Sequence, residues 1–281
     1  MIERPLYFGE RSNLLGVLTA PAAPHPGSPA VILLNAGLLH RVGPNRLHVD
    51  VARRLAEAGF TSLRFDMSGV GDSELPGDGG LLDIERSRQD VIEAMDMLAA
   101  HRSIDRFVVM GLCTGAFNAF RAALIDDRIV GCALLDGYSY PTLRSNLQHY
   151  GSRFVQLDRW KRFLAHRLGR AGEATTGVGG DVIVFENEVV TKDRFERELR
   201  SLLARHTELL LIYTGLGPLS YYYERQIFDA FPDLDLEQSA TVHFYPEADH
   251  TFTLPGNRLR LIEHISTWMA ATFTPVAQGD E

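Results

Sequence analysis

A cysteine held between two glycines at the end of an apolar run is the residue of this chain best placed to do chemistry. Val108-Val109-Met110-Gly111-Leu112-Cys113-Thr114-Gly115-Ala116 stops at a G-x-C-x-G pattern, and the stretch from Ala116 to Ile125 reads as a helix. In so tight a strand-to-helix turn the flanking glycines remove Cβ clashes, and the strained central residue projects its side chain at the sheet's edge. The helix points its N-terminal N–H groups at the sulfur and favours thiolate. The Thr114 N–H is then half of an oxyanion hole. The chemistry implied is nucleophilic attack by Cys113, with a base to manage its proton.

The other cysteine, Cys132, does not read as a disulfide partner. In neighbouring parallel strands the two would lie roughly 15 Å apart at about 3.3 Å per residue. A disulfide needs Cα atoms within about 7 Å. Cys113 is therefore expected to be free and Cys132 to be a small core residue.

With 281 residues, 45% of them hydrophobic, the chain can build one large α/β domain carrying an insertion, or at most two small domains, and the single domain with a cap is preferred. A net charge of -8 argues against a nucleic-acid partner. The opening Met1-Ile2-Glu3-Arg4-Pro5 has no apolar signal region and no run approaches a membrane span, so a cytoplasmic protein with no integral membrane segment is expected. No cofactor or metal is called for, and the oligomeric state is not readable.

The elements that must position Cys113 follow from the apolar pattern. Pro5 to Phe8 and Leu14 to Leu18 read as an opening hairpin, followed by a Pro-rich loop from Pro21 to Pro29. Ala30 to Leu34 is a continuous apolar run, as expected of a strand covered on both faces. A helix is expected from about Asn45 to Ala58, with Leu47, Val51 and Leu55 on one stripe and Gly59 as its stop. Thr61 to Phe65 is a further strand, and a helix from about Ile84 to Ala100 has Asp83 as its N-cap. Strands Ile129 to Leu135, Glu208 to Tyr213 and Thr241 to Tyr245, with a closing helix from about Arg258 to Met269, complete a doubly wound, mostly parallel sheet. The alternation fails only between them, where basic amphipathic segments around Trp160 and Phe163, a Gly/Thr run from Ala171 to Gly180 and an Arg/Glu helix around Asp193 to Leu203 are found.

These features together resemble the α/β-hydrolase superfamily, in the variant with cysteine at the nucleophile elbow that dienelactone hydrolases and polyhydroxyalkanoate synthases also carry. Asp66-Met67-Ser68-Gly69-Val70-Gly71-Asp72-Ser73 is similar to the D-x-x-G-x-G-x-S turn after the family's fourth strand, and Asn35-Ala36-Gly37 stands at its His-Gly oxyanion segment without the histidine. The resemblance implies a core of residues 1–136 and 206–281 with a helical cap over 137–205, in which Trp160 and Phe163 would line the acyl pocket. It implies oxyanion donors at Thr114 and at Ala36, Gly37 and Leu38. His250, on the loop after the last strand, would be the general base; His40 and His48 would be surface or supporting residues. The usual acid is absent, because Tyr213-Thr214-Gly215-Leu216-Gly217-Pro218 puts Gly217 where an aspartate is expected. Some members place the acid after the strand that follows the elbow, which selects Asp136 over Glu224 and Asp249.

Arg41 and Arg46 lie beside the oxyanion segment, where arginine could bind a substrate carboxylate or phosphate, or form ordinary salt bridges with nearby acids. His40 to Arg46 with Arg64 to Ser73 also resembles hydrolases associated with bacterial exosortase and surface-polysaccharide clusters. The expectation is a Cys-His(-Asp) hydrolase of a small or carrier-bound ester or thioester. An acyltransferase passing the group to an amine, alcohol or thiol, and a non-catalytic binding protein on this fold, are the alternatives.

Overall fold

The computed structural model describes residues 1–76, 83–145, 190–217, 219 and 221–274. Eight strands form one sheet: β1 (Ile2–Phe8), β2 (Leu14–Ala20), β3 (Ala30–Leu34), β4 (Ser62–Phe65), β5 (Phe107–Leu112), β6 (Ile129–Leu135), β7 (Glu208–Thr214) and β8 (Ala240–Tyr245), in the order β1-β2-β4-β3-β5-β6-β7-β8. β1 and β2 form the antiparallel hairpin, β2 joins β4 antiparallel, and every later pairing is parallel.

Why the central strands are apolar throughout is visible in how their side chains divide. Val31 and Leu33 of β3 and Val108, Met110 and Leu112 of β5 point to one core, and Ile32, Leu34, Phe107 and Val109 to the other. Alternate residues of a strand face opposite sides, so a strand covered twice has no polar face. Helices α1 (Leu47–Glu57) and α7 (Pro255–Phe273) cover the first face. Helices α2 (Ile84–Arg102), α3 (Thr114–Ile125) and α4 (Lys192–Ala204) cover the second. Asp83 caps α2 by accepting from the Arg86 N–H at 2.8 Å. The short helices α5 (Gln226–Ala230) and α6 (Leu236–Ser239) lie on the way to β8.

Helix α4 falls within the expected insertion, yet its apolar stripe belongs to the core. Phe195, Leu199 and Leu202, spaced along one face, are buried, and the Phe195 ring lies 5.0 Å from Phe120 of α3 and 4.5 Å from Tyr138. Burying each such side chain contributes roughly 1.5–3 kcal/mol. Tyr221 likewise packs inward, stacked on Tyr213 with ring centroids 3.7 Å apart. The anchors Trp160 and Phe163 and the Gly/Thr run from Ala171 to Gly180 lie outside the described residues.

The registers bring the strand ends to one edge. Leu34 pairs with Gly111, Leu112 with Leu135, Leu135 with Ile212, and Thr214 with Tyr245. The loops after β3, β5, β6 and β8 therefore open side by side, and the chain reverses its winding between β3 and β5, where open α/β sheets form their ligand crevice.

Candidate active site

Cys113 sits between β5 and α3 as the N-terminal cap position of the helix, with φ 58° and ψ -118°. A non-glycine residue in that region carries strain of order 1–3 kcal/mol, which the surrounding turn must hold. The glycines explain how it does so. A Cβ on Gly111 would lie 2.1 Å from the Gly115 carbonyl carbon, and one on Gly115 would lie 2.6 Å from the Asn35 oxygen. Elbow and oxyanion segment are thus pressed backbone to backbone. The Cys113 N–H donates to the Leu135 oxygen at 2.9 Å, and the Cys113 carbonyl accepts from Ala116 and Phe117, so the turn is anchored on both sides. Cys113 is half-buried and free; Cys132 is free and fully buried, and burial pushes its thiol up to about 12.

His250 lies on the loop after β8, and its Nδ1 is 2.8 Å from Asp136 Oδ2. Burial, the largest single influence, lowers its pKa, but hydrogen bonds with Asp136 and with Cys113, and the negative charge of both, outweigh it and raise the imidazole to about 9. Asp136 follows β6 directly, is almost fully buried and has φ 44°. Its carboxylate is fixed by Thr214, whose N–H donates to Oδ1 at 2.8 Å and whose hydroxyl donates to Oδ2 at 2.5 Å.

The other acids stand elsewhere. Asp249 folds the histidine loop, accepting from the N–H groups of Thr251 and Thr253 and from their hydroxyls. Glu224 is exposed. Asn45, with φ 50°, donates to the Thr251 oxygen at 3.1 Å and ties that loop to the segment after β3.

At the oxyanion segment Ala36 is buried, Leu38 is exposed, and Gly37 has φ 58°. The Gly37 N–H donates to Thr114 Oγ1 at 2.6 Å. Arg41 is committed to acids: its Nη1 donates to Asp66 and, at 2.7 Å, to Asp72, while its backbone N–H reaches Asp66 Oδ1 at 2.5 Å. Asp66 is fully buried, so Arg41 supplies the compensating charge. Arg46 is exposed at the start of α1. His40 is exposed and accepts from the Val42 N–H. His48 is buried in the core under Gly43, and burial, aided by the charge of Arg64, pushes it down to about 4.

In the sequence Asn45 has a place beside Arg41 and Arg46 but no role, and Thr214 has neither. Thr214 is the last residue of β7 and meets Asp136 only through the pairing of β6 with β7, so no local spacing marks it. Among the described residues no cluster of three or more His, Cys, Asp or Glu side chains is arranged to hold a metal, and no helix is long and apolar enough to cross a membrane.

The model of the family described as serine aminopeptidase, S33, matches residues 29–174, a span that includes the elbow and Asp136. No curated protein matches the chain in sequence. Among solved structures it is similar to a Pyrococcus furiosus esterase at 14% identity, over 98% of this chain and 93% of that one, with a TM-score of 0.61. It is similar to a dienelactone hydrolase from Anabaena variabilis at 18% identity, over 97% and 98% of the two chains, with a TM-score of 0.58. A Xanthomonas campestris serine hydrolase without a lid matches at 16% identity, over 98% and 96%, with a TM-score of 0.57. These likenesses establish the α/β-hydrolase fold.

Proposed function

The chain belongs to the serine aminopeptidase S33 family of α/β-hydrolases, and from that premise we propose that it hydrolyses an ester or thioester through an acyl-enzyme on Cys113. The observation that carries the reading is the 2.8 Å contact of His250 Nδ1 with the buried Asp136 carboxylate, at the sheet edge where the Cys113 elbow also opens.

With its pKa raised to about 9 against the effect of burial, His250 is the base that takes the Cys113 proton, and the sulfur reacts as thiolate. The sulfur attacks the substrate carbonyl carbon, and the carbonyl π electrons move onto oxygen, held by N–H groups at the head of α3 and of Ala36 or Leu38, the Gly37 N–H being taken by Thr114 Oγ1. As the tetrahedral intermediate collapses, the C–O or C–S bond breaks and His250 passes its proton to the departing alcohol or thiol. The now neutral His250 takes a proton from water, whose oxygen attacks the acyl carbon; the second collapse expels the Cys113 thiolate and leaves His250 protonated. Asp136 keeps the imidazole in one tautomer and stabilises its cation.

Family membership favours water as the acceptor; an amine, alcohol or thiol in its place would make the same intermediate a transferase's. Intact-mass analysis after incubation with a panel of acyl thioesters and activated esters tests the reading. A mass gain on Cys113 supports it and names the acyl group.

A further inference from the structure

Thr114 holds more than a backbone donor at the reacting centre. It is the first residue of α3, directly after Cys113, and is 7% exposed. Its Oγ1 accepts the Gly37 N–H at 2.6 Å. Among the described residues, no acceptor for the Thr114 hydroxyl proton is found.

A hydroxyl has one proton to give and two lone pairs to fill. Here the Gly37 N–H occupies a lone pair, which leaves the proton free and makes the hydroxyl a stronger donor, because hydrogen bonds in a chain polarise one another. The same contact places Oγ1 in front of the Gly37 N–H, where a substrate oxygen would otherwise have to sit.

We propose that the Thr114 side-chain hydroxyl, backed by the Gly37 N–H, is a donor to the oxyanion, so that Thr114 supplies both an N–H and an O–H to the developing charge. The inference rests on Cys113 acylation as described above. Attack forms the S–C bond and moves the carbonyl electron pair onto oxygen; the hydroxyl proton hydrogen-bonds that oxygen and stays on Thr114.

The test compares Thr114→Val, Thr114→Ser and Thr114→Ala with the wild type in two reactions of Cys113. One is acylation by an activated ester, which passes through an oxyanion. The other is alkylation by iodoacetamide, which does not. Loss of an oxyanion donor costs about 100-fold or more in rate, so Thr114→Val should acylate about 100-fold more slowly, in kcat rather than KM, while Thr114→Ser stays within a few-fold and alkylation is unchanged in all three. The infrared carbonyl band of the acyl-enzyme should move to higher frequency in Thr114→Ala, which reads the lost hydrogen bond without relying on the valine variant's folding. Wild-type acylation by Thr114→Val, faster acylation by Thr114→Ala through a bared Gly37 N–H, or equal loss in alkylation would each overturn the proposal. Alkylation without any acylation of the wild type would instead remove the acyl-enzyme reading, and this one with it.

Discussion

A Cβ built on Gly217 would lie 3.0 Å from Asp136 Oδ2 and 2.4 Å from Thr214 Oγ1. The position that commonly carries the family's acid is thus pressed against the carboxylate that meets His250 from the neighbouring strand. The two placements exclude each other sterically. Gly217→Ala should displace the Thr214 hydroxyl, disturb Asp136 and lower kcat/KM by at least ten-fold. Steady-state kinetics on an activated ester checks it; an unchanged kcat/KM would show that the carboxylate has room to move.

Asp136→Asn removes the neighbour that most raises the imidazole, while burial continues to lower it. The His250 pKa should fall from about 9, and the alkaline limit of Cys113 acylation should move to lower pH. Titrating the His250 ring signals by NMR in both proteins reads the shift directly. The substitution should also slow acylation more than Asp249→Asn or Glu224→Gln.

The raised pKa has a consequence for stability. Its folded value near 9 lies above the unfolded value of 6.5, so the stabilisation is fully present below pH 6.5 and is lost as pH rises through 9. At 1.36 kcal/mol per pH unit the difference between 6.5 and about 9 is about 3.4 kcal/mol, which solvent screening of the partly exposed ring reduces to roughly 2–3 kcal/mol. Urea unfolding at pH 6 and at pH 9.5 should show this difference for the wild type, and His250→Gln should lack it.

Arg41 and Asp66 form a pair with the acid fully buried. Removing one partner leaves an uncompensated charge, so Arg41→Met should destabilise the fold by about 3–5 kcal/mol. Were Arg41 a ligand for a substrate anion instead, the variant would keep its stability and lose affinity. Thermal unfolding alongside KM separates these outcomes.

Phe195→Ala tests whether α4 is part of the core. A large-to-small change at so buried an aromatic costs about 3–5 kcal/mol. A cost near zero in chemical unfolding would return the helix to the insertion.

How much could be read from the sequence depended on whether the signal was local. The alternation of apolar strands and amphipathic helices, Asp83 as a cap and the paired glycines of the elbow are all short-range patterns, and the fold followed from them. The proximity of His250 to Asp136 spans 114 residues and was suggested only by family likeness. Thr214 and Gly217 act through strand register and sterics, which composition does not express. Helix α4 reads as part of the insertion because the strand-helix alternation breaks down before it, and the burial of its Phe195, Leu199 and Leu202 stripe is a tertiary feature that the alternation does not express. The two readings of Arg41, substrate anion or ordinary salt bridge, are separated only by the fold, which brings Asp66 and Asp72 to it from the next strand's loop.

The central claim is a covalent acyl group on Cys113, and mass spectrometry of the intact protein and its peptides, quenched during turnover of an acyl thioester, tests it most directly. The expected result is an adduct of the acyl mass on the Cys113 peptide, which decays in buffer and is absent from Cys113→Ala together with turnover. Turnover that persists in Cys113→Ala, or an adduct carried by another residue, would contradict it.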